Sequence, residues 1–370
     1  MAHRSPSFAA SLAPSLAALQ HRPRPLPLFL QLLRDEAGDD AARIAAVLRG
    51  VRAYQQAPRG RPMRRARKIA RRGRTSLRDY GGHGGGHGDG HGTPIVFVPS
   101  LINGPEILDL DRDRSLLRWL KAQGLRPLLV DWGTPSSRER DLDIAGHVEK
   151  LLVPLLSRLP EPPILVGYCL GGTIAAAAAH LMPVRALALI ASPWRFGGFP
   201  PSSRLRLAEL WEQAREPAGQ IGLLPMEIMQ SAFWRLDPKR TLAKFESIGQ
   251  KVGDRKALAS FATVEDWAND GPPMTFAAAR ELMEDFFLRD RPGEKTWRVG
   301  GRIMDLSALP CPVLEVVSTS DRIVPHGSAA GVGDRITLRL GHVGMIVSGR
   351  AKELLWQPLL EWLSQVRRPC

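Results

Sequence analysis

Short, nearly all-apolar runs recur along the last three quarters of the chain, at residues 95–99, 127–132, 163–166, 184–191 and 311–318, with a further strand-like run at 335–340. Strands covered on both faces read this way, so these runs predict the buried strands of a mostly parallel sheet. Between them, residues 115–123, 144–158, 173–181 and 351–366 are expected as helices. Strand and helix therefore alternate, and the fold class is α/β with helices on both faces of the sheet. The rhythm breaks at 194–295, where no clear strand run occurs and helical patches such as 205–213 and 276–288 accompany Trp194, Trp211, Trp234 and Trp267. That segment is expected as a helical cap inserted over the strand ends, its tryptophans packing within it.

Ahead of the first strand, Ile44, Val47, Leu48, Val51 and Tyr54 recur at three- and four-residue spacing, which predicts a short amphipathic helix over 41–56. Residues 81–92 contain only Gly, His and one Asp. A backbone that rich in glycine does not preorganise ligands, so the stretch reads as a linker and no metal site is expected there. The expected organisation is a leader at 1–80, a linker at 81–93, a core at 94–193 and 296–370, and the cap at 194–295.

Composition narrows the class. With 370 residues and 44% hydrophobic positions the chain can bury a full core, and no apolar run is long enough to span a membrane. Residues 8–19 faintly resemble a signal peptide, but Ser11, Pro14 and Ser15 interrupt them and secretion is not expected. Three cysteines, Cys169, Cys311 and Cys370, form no even framework, which points to a reducing, cytoplasmic setting. Of the net charge of +14, the first 92 residues carry +11, concentrated in an arginine block over 59–74. No stacking aromatics interleave with these arginines, so specific nucleic-acid binding is not expected. An anionic surface, an acidic partner and a solvated arm all fit the block.

The chemistry lies in Ile164-Leu165-Val166-Gly167-Tyr168-Cys169-Leu170-Gly171-Gly172-Thr173, an apolar run ending in Gly-x-Cys-x-Gly-Gly before an alanine-rich helix. It reads as a nucleophile elbow with cysteine as the nucleophile, the glycines permitting the strained strand-to-helix turn. Cysteine there favours thioester chemistry. Such a thiolate needs a base and an orienting carboxylate, which follow later strands in the order nucleophile, acid, histidine. Asp321 follows the strand at 313–318, and His342 follows the strand at 336–340. The backbone N–H of Leu170 is the first candidate oxyanion donor; Ile102 is chosen as the second, with Leu101 close behind. The rivals His326, His147, His180, Asp305 and Asp131 sit in loops, helices or strand ends that suit structural roles, and Cys311 reads as an inert thiol.

From about Pro94 onward the chain resembles polyhydroxyalkanoate synthases of the α/β-hydrolase superfamily, especially the short catalytic subunits of the two-component kind. The resemblance is carried by the elbow at 167–173, Val130-Asp131-Trp132-Gly133-Thr134-Pro135, Asp305-Leu306, Asp321-Arg322-Ile323-Val324-Pro325 and the stretch at 341–349. It implies that Cys169 is acylated by a 3-hydroxyacyl-CoA, with His342 as base and Asp321 as its support, and that no cofactor is needed beyond the CoA of the substrate. It also implies a second synthase subunit or a homodimer as partner, and a cytoplasmic location at a polyester granule. The triad alone fits a polymerase and a hydrolase equally. The cap, and Glu265-Asp266-Trp267-Ala268-Asn269-Asp270-Gly271-Pro272 within it, match the family less well than the sheet does.

Overall fold

The computed structural model describes residues 22–60, 63–81 and 92–367; the terminal cysteine, the glycine-histidine stretch and the signal-like segment lie outside the described residues. Eight strands form one sheet: β1 (Arg67–Arg72), β2 (Thr75–Asp79), β3 (Pro94–Val98), β4 (Arg126–Asp131), β5 (Ile164–Tyr168), β6 (Ala186–Ile190), β7 (Val313–Ser318) and β8 (Asp334–Leu338). Their order is β1-β2-β4-β3-β5-β6-β7-β8. Strands β3 to β8 run parallel, and every residue of β3, β5, β6 and β7 is buried, in keeping with their mostly apolar sequence; Glu315 within β7 is the exception in charge and pairs with Arg335. The chain passes from β3 to β4 on one side and then to β5 on the other. That reversal opens a crevice at the carboxyl ends of β3 and β5, where open α/β sheets place their chemistry.

The sheet starts earlier than expected. β1 and β2 fall within the residues read as leader, β2 pairing antiparallel with β4 and β1 with β2. All of β2 is buried, including Arg78, whose guanidinium pairs with Asp131 of β4 at 2.7 Å. The positive block is therefore partly strand. Its exposed Arg67, Lys68, Arg71 and Arg72 lie on the terminal strand, where charge opposes unwanted edge pairing.

The described residues divide into two units, and the sheet lies in the one spanning residues 63–228 and 271–370. The cap expected over 194–295 is thereby split. Residues 194–228 and 271–295 stay with the sheet, joined by a short antiparallel pair, Leu223–Leu224 with Met274–Thr275. Here Trp194 packs edge-on against Trp297 and Trp211 stacks on Phe276.

The other unit joins the N-terminal helices Leu26–Ala37 and Ala41–Gln56 to the helices Pro238–Gly249 and Arg255–Asn269. Phe29, Val47, Tyr54, Trp234, Leu242, Phe245 and Ala262 form its core. Phe29 meets Phe245 edge-on with centroids 4.9 Å apart, and Phe261 meets Phe245 at 5.3 Å. The acidic motif at 265–270 is explained here: Asp266 accepts from the Tyr54 hydroxyl at 2.7 Å and pairs with Arg59 at 2.9 Å, while Glu265 holds Lys244. The motif ties the N-terminal segment down.

Two glycines set the helix crossing in this unit. A Cβ at Gly50 would lie 1.8 Å from the Phe245 carbonyl oxygen, and one at Gly249 would lie 2.6 Å from that of Ala46. Backbone meets backbone there, which outweighs the roughly 1 kcal/mol that glycine costs a helix relative to alanine. Gly50→Val is expected to cost about 3 kcal/mol, read as loss of helical circular dichroism at lower urea. An unchanged urea midpoint would contradict the close crossing.

Among the described residues no helix is long and apolar enough to cross a membrane, and no group of three His, Cys, Asp or Glu is placed to hold a metal ion.

Candidate active site

Cys169 follows the last residue of β5 and precedes the helix Leu170–Leu181. Its backbone stands at φ 56° and ψ −136°, a conformation that costs a non-glycine residue about 1–3 kcal/mol and persists only when its surroundings enforce it. The surroundings are close. A Cβ at Gly167 would come 2.2 Å from Gly172 Cα, and one at Gly171 would come 2.1 Å from the Val98 carbonyl oxygen on β3. The Cys169 N–H donates to the Ile190 carbonyl at 3.0 Å, and its own carbonyl accepts from Gly172 N–H at 2.9 Å. β3, β6 and the helix thus hold the turn that presents the sulfur, at the crevice between β3 and β5.

His342 lies in the loop after β8 and Asp321 in the turn after β7. The structure brings both to Cys169. Asp321 Oδ2 meets His342 Nδ1 at 2.7 Å, while Asp321 Oδ1 accepts the N–H groups of Ile323 at 2.8 Å and Val324 at 3.0 Å. The carboxylate is fixed by its own loop, and with Nδ1 engaged the Nε2 edge remains for Cys169, which acts on the imidazole electrostatically. Burial of the imidazole works to lower its pKa. Asp321, by its charge and its hydrogen bond, and then Cys169 outweigh burial and bring it up to about 10. The ring is consequently an imidazolium at neutral pH, able to stabilise a thiolate and to return a proton to a leaving group. Because its pKa is raised from 6.5, its contribution to stability is complete below that pH and is lost as pH rises through about 10.

Leu170 is the first residue of the elbow helix, where a backbone N–H has no partner within the helix and is free to meet an oxyanion. Ile102 departs from its expected role. Its N–H donates to Ser100 Oγ at 3.1 Å, so the short polar side chain two residues back has turned that donor into its own loop.

The rival residues are bound to structural tasks. His180 holds Asp305 at the far end of the elbow helix: its Nδ1 engages the Ala176 carbonyl at 2.9 Å and its Nε2 the Asp305 carbonyl at 2.8 Å. His147 is buried against Arg74, and burial first, with that guanidinium, holds its pKa down at about 3. Asp131 is taken by Arg78, and His326 sits in a short turn at 326–328. Cys311 is half-buried at the start of its strand, and burial pushes its thiol pKa up. Sequence reasoning missed Tyr168, whose ring stacks on His342 with centroids 5.0 Å apart; its place beside the nucleophile was the available signal.

Known proteins resemble the chain in the same terms. It is 28% identical over 296 residues to the poly(3-hydroxyalkanoate) polymerase subunit PhaC of Haloferax mediterranei, covering 74% of this chain and 58% of that protein. The like-named subunit of Synechocystis sp. is 27% identical over 299 residues, covering 74% and 78%, and that of Thiocystis violacea 26% over 292 residues, covering 74% and 81%. The chain thus spans less than two thirds of the Haloferax relative. Among solved structures, a thermophilic esterase from Thermogutta terrifontis is 16% identical with a TM-score of 0.46, covering 82% of this chain and 100% of that one. The resemblance to polyhydroxyalkanoate synthases is present over most of the chain. The model of the alpha/beta hydrolase family matches residues 82–354, and the chain belongs to that family.

Proposed function

We propose that the chain is an acyltransferase that polymerises 3-hydroxyacyl-CoA into polyhydroxyalkanoate, releasing CoA. The observation that carries this reading is a cysteine, not a serine, at the elbow, coupled electrostatically to a histidine that Asp321 holds, in a chain similar to poly(3-hydroxyalkanoate) polymerase subunits. In the proposed cycle the Cys169 thiolate attacks the thioester carbonyl. A bond from sulfur to carbon forms, the bond to the CoA sulfur breaks, and the imidazolium of His342 gives its proton to the departing CoA thiolate. His342 Nε2 then takes the proton of an incoming hydroxyl, whose oxygen displaces Cys169 to leave an ester. Asp321 holds the imidazole throughout, and the Leu170 N–H meets the oxyanion of both addition steps. With Ile102 engaged by Ser100, the N–H of Leu101 is the candidate second donor.

The reading requires no cofactor besides the CoA of the substrate. It places the protein in the cytoplasm at the surface of its polymer, with a second subunit or a second copy as partner, since the relatives are named as subunits. Incubation with 3-hydroxybutyryl-CoA is expected to release CoA together with insoluble polyester. Release of CoA with stoichiometric free 3-hydroxybutyrate would assign the same triad to a hydrolase.

Alkylation supplies an independent check. At pH 6.5 iodoacetamide is expected to modify Cys169 at least about tenfold faster than Cys311, because an imidazolium faces the first sulfur and burial opposes ionisation of the second. The pH profile of the Cys169 rate should show a high-pH edge where His342 deprotonates, near pH 10. Equal rates, followed by peptide mass spectrometry, would count against the triad.

A further inference from the structure

Tyr168 closes β5 immediately before the nucleophile, and its side chain is 3% exposed. It meets His342 at two points. Its ring lies on the imidazole with centroids 5.0 Å apart and planes 23° from parallel, and its hydroxyl donates to the His342 main-chain carbonyl at 3.1 Å. Burial first, then the charges of Cys169 and Asp321, hold the phenol far above its ordinary pKa, so it remains a donor. Neither contact uses the Nδ1 edge that Asp321 occupies.

The two supports restrain different motions. A single hydrogen bond to Asp321 fixes one edge of a planar ring and leaves it free to rock about that bond, carrying Nε2 past the sulfur. A stacked face blocks the rocking, and the bond to the carbonyl holds the loop from which the ring projects. Both restraints come from the residue joined by one peptide bond to Cys169, so base and nucleophile are referenced to one strand end. The aromatic face also presents negative potential to an imidazolium, favouring its charged form.

We propose that Tyr168 is a positioning residue that keeps the His342 imidazole aligned with Cys169, by ring stacking and by the bond to the His342 carbonyl. This rests on the reading of Cys169, His342 and Asp321 as the reacting groups. A core filler alone would need only apolar volume, and the two roles separate in variants.

Tyr168→Phe keeps the ring and loses the hydroxyl; Tyr168→Leu loses both. In the full-length protein, with folding checked by near-ultraviolet circular dichroism, Tyr168→Phe is expected to lower the maximal rate of CoA release from 3-hydroxybutyryl-CoA about threefold, with KM unchanged. Tyr168→Leu should lower it about 100-fold, again at unchanged KM, in keeping with the cost of small misplacements. In Tyr168→Leu the high-pH edge of Cys169 alkylation should also move down by about one pH unit, because the imidazolium has lost its stacked face. A folded Tyr168→Leu with wild-type maximal rate and alkylation profile would overturn the proposal, as would a raised KM with the rate intact. Should Tyr168→Leu fail to fold, a Tyr168→Phe protein with wild-type rate overturns it instead. Wild-type Cys169 alkylated no faster than Cys311 would overturn the triad, a separate result from either.

Discussion

Cys169→Ala is expected to bring CoA release from 3-hydroxybutyryl-CoA down to the uncatalysed background, a loss on the order of 10⁶-fold. In the proposed cycle the Cys169 sulfur takes the acyl group, and β3, β6 and the elbow helix hold the turn that presents it. His342→Ala should lose nearly as much, because the three groups act as a unit and their losses do not add. Asp321→Asn is expected to cost about 10⁴-fold, since the amide would favour the wrong imidazole tautomer while leaving the loop bonds to Ile323 and Val324 in place. Cys169→Ala and Asp321→Asn should keep the wild-type thermal transition to within a few degrees, whereas His342→Ala, which leaves the buried Asp321 carboxylate without its partner ring, should melt lower. CoA release measured with a thiol reagent checks each, and a Cys169→Ala protein retaining even a hundredth of the activity would remove the cysteine from the mechanism.

Deleting residues 1–62 is the second large effect, and it is one of folding. Phe29, Leu33, Val47, Val51 and Tyr54 are each buried against the helices that span 229–270. Burying such a side chain is worth roughly 1.5–3 kcal/mol, so their joint removal exceeds the stability of most domains. The truncated chain would also leave Phe245 and Leu242 uncovered and Asp266 without Tyr54 and Arg59. The expected outcome is insoluble protein, or a soluble one that binds a hydrophobic dye and lacks the cooperative melting of its helices. A truncated protein with full helical content and an unchanged melting temperature would show that 229–270 folds without its N-terminal partner.

The parallel strands and the grouping of Cys169, Asp321 and His342 at their ends were legible because each carries a local signature. Gly167 and Gly171 are demanded by atoms at van der Waals distance or closer, so they stand in the sequence as fixed marks around Cys169. Asp321 and His342 could be found because the fold delivers them after their own strands. The first hairpin was hidden by charge: β1 carries four exposed Lys or Arg residues, and only the two-residue link with Gly73 at φ 56° marks the turn. The helix over 41–56 was visible in its own periodicity, but its partner was not, since packing between distant segments leaves no local pattern. The Ile102 amide shows the same limit at atomic scale, because its engagement depends on which rotamer places the Ser100 oxygen beside it.

The pairing of residues 22–60 with 229–270 also bears on synthesis. About 170 residues separate the helix Ala41–Gln56 from the helices that cover it. At about 5–20 residues per second, the N-terminal helices emerge from the ribosome about 10–35 seconds before their partners exist. During that interval Phe29, Val47 and Tyr54 have only the other N-terminal helix of their own chain to bury against, and a holding chaperone is the natural company for them.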